Sequence, residues 1–98
     1  MKSIADYKEF NDEKTSPSIV EGVTKTEIPK KSEILKYMRS FEADVVCPAR
    51  VYDEVTKEVT NLKLVYYTDG EFFWDERVIY HFEKYNILLN EDFLKKIS

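Results

Sequence analysis

Residues 59–86 read VTNLKLVYYTDGEFFWDERVIYHFEKYN, and this stretch decides the fold. Val59, Leu62, Leu64, Val65, Tyr66 and Tyr67 are rich in strand formers, and Phe72, Phe73 and Trp74 resume the pattern after Asp69-Gly70. An Asp-Gly pair between two such runs predicts a β-hairpin, because both central residues of a type I′ turn need positive φ. A two-residue loop sets Thr68 opposite Glu71, Tyr67 opposite Phe72, Tyr66 opposite Phe73 and Val65 opposite Trp74. Leu62, Leu64, Tyr66 and Phe73 then line one face, and Val65, Tyr67, Phe72 and Trp74 the other. A half-buried antiparallel sheet shows one polar face, so a hairpin apolar on both sides needs two covers. Asp75 is placed to end the strand and cap a helix over 76–85. Trp74 before the cap and Ile79 at the fourth helical position have the spacing of a hydrophobic staple. Val78, Ile79, Phe82 and Tyr85 share a face with His81 at its edge, Tyr80 points away beside Glu76, Glu83 and Lys84, and Asn86 suits a left-handed helix end.

Working outward, Asn90 caps a last helix with Glu91 and Asp92 in its first turn and Lys95 and Lys96 in its last, the charge order a helix dipole favours. Upstream, residues 44–52 alternate as a strand, with Val45, Cys47, Ala49 and Val51 on one side, and Pro48 argues for a sheet edge or a bulge. Ile34, Leu35, Met38 and Phe41 give one apolar helical face over 30–41, with Pro29 and Ser32 as competing start signals. Residues 1–28 read as an N-terminal arm of uncertain structure. Ile4, Tyr7 and Phe10 suit one or two helical turns, 11–18 a loop, and 19–23 a short strand or extended segment. The reading is one domain over 1–98 with its core in 29–98. Its class is α+β, a three-stranded antiparallel meander with one helix before it and two after it.

Composition bounds the function. The 98 residues hold 15 Lys and Arg against 19 Asp and Glu, a net charge of −4 that disfavours nucleic acid and anionic membrane as partners. No stretch approaches the roughly 20 apolar residues of a membrane span, and the N-terminus has no signal-peptide core. The single cysteine, Cys47, cannot close an internal disulfide, which points to the cytosol. Aromatic residues are 14% of the chain, enough to supply a small core and leave some for a partner.

No catalytic or cofactor motif stands in the sequence. One Cys and one His do not make a zinc site, and Gly22 and Gly70 alone do not make a phosphate-binding loop. Cys47 and His81 could pair as nucleophile and base, but Cys47 lies in an apolar run where a thiol behaves as a small hydrophobe, so both are assigned structural roles. The chain is expected to be no enzyme and to need no cofactor or metal. Asp69, Glu71, Asp75 and Glu76 cluster at the turn and helix start, with Tyr80 one helical turn beyond Glu76. Each carboxylate also has a local reason for its place, as turn former, strand-edge charge, cap or first-turn charge. Together with Tyr80 they are the candidate surface for a basic protein partner.

Residues 67–97, YTDGEFFWDERVIYHFEKYNILLNEDFLKKI, resemble the ending of small uncharacterised bacterial proteins, some of which look like immunity proteins of polymorphic toxin systems. The likeness rests on Tyr67, Asp69, Gly70, Phe72, Trp74, Tyr85, Ile87, Leu89 and Phe93, with Asn90 where many relatives would have Pro. It implies a non-catalytic binding protein that neutralises a toxin, and it carries over no functional residue. A different class also fits: a homo-oligomeric structural or regulatory subunit that buries the surplus sheet face between copies.

Overall fold

The structure, a computed structural model, describes residues 2–11, 16–23 and 28–97. Its elements run β1 (Lys2–Ser3), α1 (Lys8–Asn11), α2 (Ile19–Gly22), α3 (Lys31–Met38), β2 (Val45–Asp53), β3 (Glu58–Thr68), β4 (Phe72–Asp75), α4 (Glu76–Tyr85) and α5 (Glu91–Ile97). The class is α+β, and the sheet has four strands in the order β1-β4-β3-β2. The expected meander β2-β3-β4 forms its antiparallel part. The correction is β1, which pairs in parallel with β4, Lys2 opposite Phe72 and Ser3 opposite Phe73. The Lys2 N–H donates to the Glu71 carbonyl at 3.0 Å and the Ile4 N–H to the Phe73 carbonyl at 3.3 Å. A two-residue strand has no periodicity to show, and its pairing joins residues 2–3 to a strand distant in the sequence.

The β3–β4 register also departs from the expected one. Tyr66 faces Asp75, Tyr67 faces Trp74 and Thr68 faces Phe73. The loop is therefore longer than Asp69-Gly70 and not type I′: Gly70 has φ 94°, whereas Asp69 is not in the positive-φ region. Asp69 builds the turn with its side chain, Oδ1 accepting from the N–H of Glu71 at 2.9 Å and of Phe72 at 2.7 Å. The slip is two residues, and because side chains alternate with a period of two, the face assignments survive it. Trp74 and Phe72 are buried on one face, while Phe73 points to the other.

The buried face holds an aromatic cluster. Trp74 lies within 5.6–6.5 Å, ring centre to ring centre, of Tyr37, Phe41, Tyr67 and Phe93. Its indole N–H donates to the Met38 carbonyl at 3.2 Å, which joins β4 to the end of α3. Ile79 is buried in the same core, as the staple spacing requires. The Asp75 side chain accepts from the Arg77 N–H at the start of α4, and Asn86 ends the helix in the left-handed conformation. Asn90 Oδ1 accepts from the Asp92 N–H at 2.8 Å to cap α5.

The helix expected over 30–41 spans Lys31–Met38. Neither Pro29 nor Ser32 caps it; Lys30 does so in a left-handed conformation without a side-chain bond. The N-terminal stretch contributes to the core: Ile4, Ala5, Tyr7 and Ile19 are buried. Residues 19–22 are a helical turn rather than a strand or extended segment. Ser18 and Glu21 stand three apart, and the Glu21 carboxylate accepts from the Ser18 N–H at 2.9 Å, one half of a capping box. Glu9 steadies the same turn by accepting from the Ile19 N–H at 2.8 Å. The expected helix through Ile4, Tyr7 and Phe10 is reduced to Lys8–Asn11, because Lys2–Ser3 is spent on the sheet. Of the loop expected over 11–18, residues 12–15 lie outside the described residues, Asn11 belongs to α1, and 16–18 lie in no helix or strand.

Pro48 sits on an edge strand and beside a bulge, as its missing N–H demands: the β2–β3 register shifts between Cys47 and Arg50 and again between Arg50 and Tyr52. These shifts interrupt the expected alternation, and of Val45, Cys47, Ala49 and Val51 only Val51 is buried.

Candidate functional site

The five residues expected to meet a partner do not form one open acidic surface. Asp69 is held inside the turn. Besides the two backbone N–H groups, its Oδ2 accepts from the Tyr37 hydroxyl at 2.7 Å and from Lys96 Nζ at 2.9 Å. Burial works against its ionisation, but these donors outweigh it and hold the carboxyl well below the usual range. Asp75 is buried, capping α4 and pairing with the Arg77 guanidinium at 2.8 Å. Glu76 accepts from the Tyr67 hydroxyl at 2.8 Å. Burial, then that bond, pushes the Tyr67 hydroxyl up to about 12. Glu71 is the exposed member, with Lys96 Nζ 3.2 Å away.

Tyr80 does have a reason in the fold, contrary to its expected outward placement: its hydroxyl donates to Asp53 Oδ2 at 2.6 Å. The Tyr85 hydroxyl donates to the same oxygen at 2.5 Å. Asp53 Oδ1 accepts from the N–H of Val55 at 2.9 Å and of Thr56 at 2.8 Å, which shapes the β2–β3 turn. Asp53 is thus a buried carboxylate that ties the hairpin turn to α4. Burial opposes its charge, yet the two tyrosine hydroxyls and two N–H groups prevail and depress its ionisation below the ordinary range. Asp53 escaped the sequence reading, although an aspartate closing a strand just before Thr56 and Lys57 is an Asx-turn signal.

His81 lies beside it, fully buried between the rings of Phe10, Tyr80 and Tyr85. Its Nε2 accepts from the Glu54 N–H at 3.0 Å, so its Nδ1 carries the proton and donates to the Arg77 carbonyl at 2.6 Å. Desolvation lowers its pKa and keeps the ring neutral. Cys47 lies elsewhere, in a groove lined by residues of β2, β3 and β4. Its opposite neighbour is Leu64. Each residue is thus placed by packing and hydrogen bonding in its own surroundings. Among the described residues no group of His, Cys, Asp or Glu could hold a metal ion, and no helix is long and apolar enough to cross a membrane.

The second cover that the hairpin demanded is incomplete among the described residues: Asp75 is buried on that side, but the face beyond it is partly exposed. Val45 stands opposite Tyr66, Cys47 opposite Leu64 and Thr68 opposite Phe73, so these side chains share the face turned away from the aromatic core. Val45 is 50% exposed and Phe73 40%. A shallow groove of about 450 Å³ runs between them, lined by Asp44, Val45, Cys47, Tyr66, Thr68 and Phe73. It adjoins a second hollow of about 480 Å³ that shares Tyr66 and Phe73 and is bounded by Asp6, Phe10 and Arg77. This strip is the candidate functional site: concave, largely apolar and built on strands whose positions the core holds rigid. No protein-family model, no curated protein and no solved structure matches this chain.

Proposed function

We propose that this chain is a non-catalytic, cytosolic protein-binding domain whose contact surface is the open face of its sheet. The observation that carries the reading is the partly exposed aromatic and aliphatic strip of Val45, Tyr66 and Phe73 on a sheet whose other face buries Phe72 and Trp74 in the core. Aromatic side chains on a rigid base are the groups that most often anchor protein contacts. The commitment of Cys47 and His81 to separate structural places supports a role without chemistry. The resemblance of residues 67–97 gives this role its kind, neutralisation of a toxin-like partner. Asp69 and Asp75 serve it by building the turn and the helix start, Glu76 and Tyr80 by binding Tyr67 and Asp53, and Glu71 stays exposed beside Lys96.

The same apolar face supports a second reading, a homo-oligomer that buries it between copies. The test uses the full chain as bait in its native host's extract, beside a Phe73→Lys variant. A partner held by the wild type and lost by the variant, with the purified chain monomeric by light scattering, supports the first reading. Equal capture by both proteins sinks it, and a dimer split by Phe73→Lys favours the second.

A further inference from the structure

The charges around the open strip are lopsided. The ion pairs among the described residues are Lys2–Asp92, Arg39–Glu83, Lys57–Glu54, Arg77–Asp75, Lys84–Asp53 and Lys96 with Asp69 and Glu71. Asp6 and Asp44 belong to none of them, and both are exposed. Asp44 borders the strip on the β2 side, and Asp6 borders the adjoining hollow on the β1 side. Among the described residues Arg77 is the one cation lining either hollow, and its guanidinium is bound twice to the Asp75 carboxylate. The strip therefore has an apolar floor, two aromatic anchors and a negative charge at either side.

Width restricts what can lie there. Outer strands of a four-stranded sheet are about 14 Å apart, three spacings of about 4.8 Å, and one α-helix with its side chains is about 10–12 Å across. Sheets are commonly covered by helices laid on the face, as the opposite face of this one is. A second copy fits poorly, because any two-fold pairing of these faces sets an acidic rim against an acidic rim. An anionic membrane meets the same repulsion.

Resting on the reading of this face as the contact surface, we propose that it takes one cationic amphipathic helix of a partner protein. The helix presents apolar residues to Val45, Tyr66 and Phe73. Lysine or arginine on its flanks meets Asp6 and Asp44.

The test is an NMR titration of the full-length, isotope-labelled chain with two synthetic amphipathic helices of about five turns. They share a leucine face and carry either lysine or glutamate on the flanks. The lysine peptide is expected to move the amide signals of Val45, Tyr66 and Phe73. Replacing Asp6 and Asp44 together by Asn should weaken it about tenfold and flatten its salt dependence, the size expected for two exposed charge pairs. The glutamate peptide should bind at least about tenfold more weakly. Equal binding of both peptides at this face overturns the cationic occupant while leaving the parent reading standing. Lysine-peptide shifts that avoid the strip, or an affinity unchanged by the double Asn variant, overturn the inference as well. Stronger binding to phosphatidylglycerol vesicles than to the lysine peptide, or a dimer that Phe73→Lys dissociates, overturns it in favour of a membrane or a second copy. Failure of the parent reading shows separately, as equal capture by wild type and Phe73→Lys.

Discussion

Replacing Asp53 by Ala is expected to be among the most damaging single changes outside the aromatic core. Two tyrosine hydroxyls at 2.6 and 2.5 Å and two backbone N–H groups at 2.9 and 2.8 Å converge on this carboxylate. Hydrogen bonds to a charged group contribute about 1.5–3 kcal/mol each, but they are not additive, and some donors regain water when the acceptor goes. The better guide is loss of one side of a buried charged network, which costs about 3–5 kcal/mol. Lys84 Nζ, 3.6 Å from Oδ2 and half exposed, adds little to that figure. In a domain of this size each kcal/mol moves the melting temperature by about 4–8 °C, so the variant should melt roughly 12–40 °C below the wild type. Urea denaturation gives the free energy directly. Tyr80→Phe and Tyr85→Phe should each cost about 1–2 kcal/mol, and each should cost less when made on an Asp53→Asn background. An Asp53→Ala protein within about 1 kcal/mol of the wild type would refute the idea that this carboxylate joins the hairpin turn to α4.

Trp74→Ala should cost about 3–5 kcal/mol, since it empties the centre of the aromatic cluster and frees the Met38 carbonyl; a melting point within a few degrees of the parent would contradict this placement. His81 gives the stability a pH slope. Its folded-state pKa lies below the unfolded value of about 6.5, so the unfolded chain binds the proton first, and stability falls as pH drops below about 6.5. Unfolding free energies of wild type and His81→Gln on either side of that pH should show the loss only in the wild type. Asp53 and Asp69, both depressed, add a second loss as pH falls below their unfolded value of about 3.9, which an acid titration of fluorescence should show as a further step. Gly22→Ala should destabilise the chain, because an added Cβ runs into the Tyr7 ring, and that ring is pinned by its hydroxyl bond to the Leu88 carbonyl at 2.6 Å; a thermal melt no lower than the parent's would show that the ring can give way.

Local chemistry made much of the fold legible in the sequence. Asp75 and Asn90 cap their helices, Asn86 ends one, and Pro48 marks an edge and a bulge, because each acts through its own backbone or that of near neighbours. The assignment of Trp74 and Phe73 to opposite faces was legible for a similar reason: side-chain alternation tolerates a register error of two. What lay beyond reach depends on contacts distant in the chain. Strand β1 exists because Lys2 and Ser3 find β4, and no two-residue pattern announces that. Tyr80 looks like a surface tyrosine on its helix, and only the arrival of Asp53 from β2 turns it inward. The carboxylates of the turn looked like a patch because sequence shows charge but not partners, and Tyr37 and Lys96 come from distant helices, with Tyr67 from β3, to satisfy Asp69 and Glu76. The surplus of apolar side chains on the hairpin was determined by the sequence alone. That the described residues leave part of one face open, between Asp6 and Asp44, was decided only by the tertiary structure, since helices brought together by long-range packing can cover one side of the sheet more fully than the other.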